Sequence, residues 1–302
     1  MLTKQTFNHN QNTWINLTTE SKEEVAQLYN EYKIDEEVVE YSLDKNERAH
    51  LDFDKAAQTF VLIYNVPNRL KIDNHYETIP MSFIIKDRLL ITVTNKRNQY
   101  LFFEMQNYLE KFPTVSIFQF LFASLFLISE AFFPFVEEMN QDRTKVSSKL
   151  KDKTTKRNLL ELSDLETGIV FFISASKQNV VLLEQIKAHA IYKQLSDPEK
   201  EELEDAMIEA KQLVEMTKLS SEILQQLSST YNNVLNNNLN DTMRILTILS
   251  VLLTIPTIIT GFFGMNMPLP LEHNTSGWII TIVISTVLWF GLSLIFRKLL
   301  KR

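Results

Sequence analysis

The residues whose types and spacing could do chemistry fall on one line: Asn240, Met243, Thr247, Ser250, Thr254, Thr257 and Gly261. Steps of three and four keep them within roughly 60° of one meridian of a helix. In a lipid-exposed helix such residues have no reason to line up. In a bundle they mark either a seam for close helix packing or a wet interior surface. Unlike a GxxxG seam, this face is mostly hydroxyls and amides, which can exchange hydrogen bonds with water or a hydrated ion. A pore lining is therefore the better account.

The element that must carry this line is a membrane helix. Residues 245–263 are nineteen in a row without a charge, and at about 1.5 Å per residue they cross most of a hydrocarbon core about 30 Å thick. A buried helix of a soluble domain is the alternative. A second uncharged run, 277–296, follows after a short loop, and the two together read as a transmembrane hairpin. The loop has no Lys or Arg, whereas the tail 297–302 has four. The positive-inside rule then puts the tail, and with it both termini, in the cytosol. Trp278 fits an outer interfacial anchor, and Arg244 can snorkel at the inner end. Upstream, Asp197, Pro198 and Glu199 supply a cap, a first-turn proline and an acid for a helix start. No proline follows until Pro256, so a single helix over 198–265 would run roughly 100 Å. Such a rod must pack against copies of itself.

The tripeptide Gly264-Met265-Asn266 closes the first membrane helix, and Tyr231, Asn237, Asn240, Met243, Leu246 and Thr247 lead into it. This pattern, after a long helix and before a second span, resembles the CorA family of magnesium channels. The resemblance implies a homopentameric funnel in which the first membrane helices surround an axis and the second faces lipid. Gly264, Met265 and Asn266 would form the outer mouth, where a ring of Asn266 side-chain carbonyls holds hydrated Mg2+. Asn240, Met243, Leu246, Ser250, Thr254, Thr257 and Gly261 would line the pore, with Met243 and Leu246 as an apolar throat. Thr254 stands where some members carry methionine. Glu272 in the outer loop could concentrate cations. The acids Glu201, Glu202, Glu204, Asp205 and Glu209 are candidates for a cytosolic Mg2+ sensor, or a solvated acidic first turn. Asp205 matches the family's stalk aspartate that binds regulatory Mg2+ between subunits. Transport of Co2+, Ni2+ or Zn2+ by the same architecture is the alternative, with Met265 favouring magnesium. A non-conducting membrane scaffold is a further one.

Composition narrows the field. A net charge of −6 argues against nucleic acid. The absence of cysteine removes thiolate metal sites and thiol nucleophiles. Of five glycines, four (Gly261, Gly264, Gly277, Gly291) fall in the membrane region. Gly168 alone cannot build a phosphate-cradling loop, so no nucleotide partner and no ATP-driven pumping are expected. His9, His50, His75, His189 and His273 are scattered, and no nucleophile–base pair is suggested by spacing, so an enzyme is not expected. No cofactor is expected beyond Mg2+ itself, as transported ion and regulatory ligand. The amino terminus lacks the apolar core of a signal peptide. The chain is thus read as a multi-pass protein of the cell membrane.

The expected organisation is an α+β architecture: a cytosolic α/β domain over 1–136, a helical hairpin over 137–196, and a stalk helix over 197–242. The first membrane helix covers 243–267, the outer loop 268–276, the second membrane helix 277–296, and a basic tail 297–302. Ser21 to Glu24 has a capping-box pattern, and Asp35 caps a helix through Tyr41. Strands are expected over 59–64, 81–85 and 89–93, with Lys86-Asp87-Arg88 as a tight turn. A helix is expected over 98–111. The apolar segment 115–136 holds Gln119, Ser124, Ser129 and Glu130, with Pro134 interrupting its end, and is read as a buried helix rather than a third span. Phe126 stands where the family usually has aspartate. The basic run Lys145, Lys149, Lys151, Lys153, Lys156 and Arg157 lacks the aromatics of a nucleic-acid surface and is read as a solvated hairpin.

Overall fold

The computed structural model describes residues 1–35, 37–44, 47–54, 58–152, 154–265 and 276–300. The chain divides into two units, Met1–Ser229 and Thr230–Arg302. In the first unit, β1 (Leu2–Phe7), β2 (Asn12–Thr18), β3 (His50–Asp54), β4 (Thr59–Pro67), β5 (Thr78–Lys86) and β6 (Leu89–Thr94) form one sheet in the order β1-β2-β6-β5-β4-β3. β2 and β6 run parallel, with Trp14 opposite Leu90 and Asn16 opposite Thr92, while the other neighbouring pairs are antiparallel. β4, with the sequence TFVLIYNVP, is buried at every position. A strand that apolar must be covered on both faces.

Helices supply the cover. On one face α1 (Lys22–Glu31) and α2 (Glu37–Leu43) bury Val25, Leu28, Tyr29, Val38 and Val39 with Ile15, Val61, Ile63, Ile84 and Ile91 of the sheet. On the other, the Trp14 ring lies 5.2 Å from Phe102 of α3 (Gln99–Lys111) and 5.1 Å from Phe120 of α4 (Ile117–Asp152). Burying a side chain such as Phe120 stabilises the fold by about 1.5–3 kcal/mol. Polar groups on this face satisfy one another: Trp14 Nε1 donates to Thr92 Oγ1 (3.0 Å), Thr92 Oγ1 to Asn16 Oδ1 (2.7 Å), and Asn16 Nδ2 to Thr94 Oγ1 (3.0 Å).

α4, α5 (Lys156–Ala188) and the first part of α6 (Asp197–Phe263) make a helical layer. Leu203, Ala206, Met207, Ala210 and Leu213 of α6 are buried in it. Asn140 Nδ2 donates to Ser220 Oγ (3.3 Å), and Lys211 pairs with Glu184 (3.1 Å). Gly168 lets α5 approach closely, because a Cβ there would lie 3.3 Å from the Tyr76 backbone nitrogen.

Several local expectations are amended. β1, β2 and β3 are strands beyond the three that the sequence predicts. Pro134 sits inside α4 without ending it, since its missing N–H deprives only the carbonyl of Glu130, an exposed residue that water can reach. Ser21 caps α1 by accepting from Glu24 N–H at 3.4 Å, but its backbone N–H turns to Thr19 Oγ1 rather than to the Glu24 carboxylate. The α6 cap is Ser196, one residue before Asp197: Glu199 reaches back to accept from the Ser196 N–H (2.8 Å) and hydroxyl (2.9 Å).

The second unit holds the rest of α6 and α7 (Gly277–Leu300). Among the described residues three helices are long and apolar enough to cross a membrane: α4, α6 and α7. The most apolar stretch of α4 is 56% buried within the protein, and those of α6 and α7 are not buried at all. α4 therefore already has its apolar partners, whereas the other two need a medium that water cannot supply.

Candidate functional site

In the second unit every member of the polar line (Asn240, Met243, Thr247, Ser250, Thr254, Thr257 and Gly261) is exposed on α6. The hydroxyls share one geometry. Thr247 Oγ1 donates to the Met243 carbonyl (2.8 Å), Ser250 Oγ to Leu246 (2.9 Å), Thr254 Oγ1 to Ser250 (2.9 Å) and Thr257 Oγ1 to Leu253 (2.9 Å). Each proton is committed to the helix's own backbone, so the oxygen lone pairs are what remains for anything outside. A surface of this kind accepts hydrogen bonds. The waters around a cation present their hydrogens outward and match it.

The opposite face of α6 is different. Ile248, Leu252, Ile255, Ile259 and Phe263 are only partly exposed, and so are Thr281, Ser285, Trp289, Leu292 and Phe296 of α7. Both series have helical spacing, as expected of two helices turned toward each other. At about 100° per residue, the half-buried line of α6 lies roughly 160° around the helix from the hydroxyl line. The hydroxyls thus face away from α7. Between the two lines stand apolar side chains such as Leu253 and Ile258, exposed to 59% and 64%.

At the end of α6 the Gly264 N–H donates to the Thr260 carbonyl (2.9 Å), and a Cβ on Gly264 would lie 3.1 Å from that same oxygen. Met265 follows, half exposed, with its N–H directed at the Phe262 carbonyl (3.4 Å). A Cβ at Gly261 would meet open space. Asn266 and Glu272 lie outside the described residues.

The acids at the start of α6 belong to the first unit and differ in surroundings. Glu204 pairs with Lys187 of α5 (2.5 Å). Glu202 accepts from the Tyr108 hydroxyl of α3 (3.4 Å), and burial, aided by the charges of Asp205 and Glu201, pushes its carboxyl pKa up. The pKa of Glu209 is raised as well, first by burial and then by the charge of Glu130 on α4. Asp205 is exposed. Among the described residues no three His, Asp or Glu side chains of one chain could together hold a metal. Any ion held by Asp205 and Glu209 would need ligands from elsewhere. Sequence order alone did not show the Glu130–Glu209 proximity, because it depends on α4 packing beside α6.

The model of a family described as CorA-like Mg2+ transporter protein matches residues 9–298. A cobalt/magnesium transport protein CorA from Methanocaldococcus jannaschii is 22% identical over 294 residues, covering 94% of this chain and 90% of that protein. The complete structure of the CorA magnesium transporter from Methanocaldococcus jannaschii superposes with a TM-score of 0.80 at 22% identity, covering 97% of this chain and 92% of that one. The cytoplasmic domain of ZntB from Vibrio parahaemolyticus is similar in fold at 7% identity, with a TM-score of 0.56, covering 76% of this chain and 88% of that one.

Proposed function

The chain belongs to the CorA family of Mg2+ transporter proteins, and from that premise we propose that it is a cell-membrane channel passing Mg2+ into the cytosol down its electrochemical gradient. Five copies place the hydroxyl line of α6 around a common axis, with α7 outside against lipid. The single observation that carries this reading is the placement of the line: four hydroxyls whose protons are held by the backbone, set opposite the α7-facing side of α6.

Mg2+ gives up its water reluctantly, so a conducting wall serves best by touching the first hydration shell rather than replacing it. In this reading Asn266 carbonyls, framed by Gly264 and Met265, receive the hydrated ion at the outer mouth, and Glu272 raises the local cation concentration. The ion then passes Gly261, Thr257, Thr254 and Ser250. Met243 and Leu246 form a throat that closes by losing its water, and Asn240 lies beyond it. Moving two charges through 100 mV is worth roughly 4.6 kcal/mol, so inward flux needs no nucleotide. The danger is overload. Mg2+ bridging Asp205 and Glu209 to a neighbouring copy holds the pore shut when cytosolic Mg2+ is high.

Flux of Mg2+ into proteoliposomes, wild type against Asn266→Ala, tests the proposal. Flux that disappears in the variant at equal protein incorporation supports it. Unchanged flux removes Asn266 from the filter, and no flux in either protein favours a non-conducting scaffold. Co2+ is the second ion to try, because the similar Methanocaldococcus jannaschii protein is described as a cobalt/magnesium transporter.

A further inference from the structure

At one end of the sheet, far in sequence from the membrane helices and the acids of α6, four cations line a single open cleft. They are Lys4 of β1, Lys33 just after α1, Lys86 at the end of β5, and Arg88 in the turn to β6. Glu31 and Asp87 share the cleft, whose volume is about 490 Å³. The chain as a whole carries more acids than bases, so this excess of two positive charges runs against the average. Among the described residues none of the four cations makes an ion pair, although two carboxylates lie in the same cleft.

One of the cations is fixed. Lys86 Nζ donates to the backbone carbonyls of Tyr32 (3.2 Å) and Lys33 (2.6 Å), which leaves one of its three N–H bonds for a ligand. The flanking backbone is specialised too: Lys33 and Asp87 both adopt left-handed conformations, with φ of 55° and 53°. Lys4, Lys33 and Arg88 are exposed arms around this anchored ammonium.

We propose that this cleft binds a small oligophosphate. Several ammonium groups and a guanidinium spread over one concavity suit a ligand with several phosphates, each offering oxygens to a charged donor. A single carboxylate could engage only part of such a set. The volume is that of a small-molecule site. Recognition runs through side-chain charge, so it does not need the glycine-rich loop whose absence led the sequence to predict no nucleotide partner. The stripped oligophosphate binds more tightly than its Mg2+ complex, because the metal neutralises two of the charges that the cleft attracts.

The test is calorimetric titration of the full chain in neutral-lipid nanodiscs, with tripolyphosphate and ATP as separate probes in chelator-containing buffer. Both are expected to bind saturably, to compete, and to weaken as salt is raised. Lys33→Ala/Arg88→Ala should weaken both by roughly tenfold per cation removed, the lower range for charge-assisted hydrogen bonds. Both positions are exposed, so the fold should survive. Lys177→Ala/Lys193→Ala, outside the cleft, should leave binding unchanged. The proposal is overturned by absence of saturable binding, by equal effects of the two double variants, or by ATP binding that tripolyphosphate neither reproduces nor displaces. The readout does not involve ion movement, so its failure would leave the conduction proposal untouched, and the reverse.

Discussion

Replacing Thr254 by Val removes one hydroxyl and keeps the shape. Its Oγ1 donates to the Ser250 carbonyl at 2.9 Å, a back-bond that gives a helix little stability, so the variant should fold and insert normally. In the proposed pentamer the change deletes a ring of acceptors. A hydrogen bond of this neutral kind contributes about 0.5–1.5 kcal/mol. A hydrated ion touching two hydroxyls of the ring at once would then meet a barrier raised by about 1–3 kcal/mol, which slows passage roughly 5- to 150-fold. The control is Thr286→Val on α7. There the hydroxyl makes the same back-bond, to the Ile282 carbonyl at 2.8 Å, but it lies on the helix assigned to lipid, and flux should stay within about twofold of wild type. The assay is initial Mg2+ influx into proteoliposomes at matched incorporation and fixed potential. Equal losses in the two variants, or wild-type flux in Thr254→Val, would refute the assignment of the α6 line to the pore.

Three other outcomes follow from the geometry. Asp205→Ala should leave channels open at internal Mg2+ concentrations that close the wild type, and inhibition curves that coincide would remove Asp205 from the sensor. The pKa of Glu209 is raised in the fold, so its protonated form stabilises: that contribution is full below the ordinary carboxylate value of 4.5 and is lost as pH rises through the raised value. Glu209→Gln should therefore melt above wild type at neutral pH in chelator, with the gap closing as pH falls below 4.5, and a gap constant with pH would count against the burial argument. Gly168→Ala should destabilise the first unit by about 1–3 kcal/mol, because the new methyl meets the Tyr76 backbone at 3.3 Å as well as the movable Met139 sulfur at 3.2 Å. A thermal midpoint equal to wild type would show that α5 can shift.

What the sequence disclosed depended on how each signal arises. The apolar runs and the polar line are properties of one helix, so periodicity alone revealed them. β1 was hidden because LTKQTF, an edge strand, is largely exposed, and because its turn uses Asn8, His9 and Asn10, all left-handed, rather than an Asn-Gly pair. β3 carries Asp52 and Asp54, residues that strands ordinarily avoid. Asn16, Thr92 and Thr94 look like the outward half of an alternating strand, yet they are buried and bonded to one another. Only the parallel pairing of β2 with β6, distant in sequence, brings them together. The cation cleft was invisible for the same reason, its members lying on three separate segments. Of the residues proposed for the filter, Gly264 and Met265 stand at the end of α6, while Asn266 and Glu272 lie outside the described residues.

The inward-turned protons of Thr247, Ser250, Thr254 and Thr257 have a last implication. If these hydroxyls line the proposed pore, a corridor walled by their lone pairs repels chloride by orientation alone, although it bears no formal charge. Over that stretch there is also nothing to titrate: from 245 to 263 the helix holds no acid, base or histidine. Acidification of either compartment should leave the corridor's own permeability as it was, so any proton sensitivity of the whole protein must originate outside the bilayer.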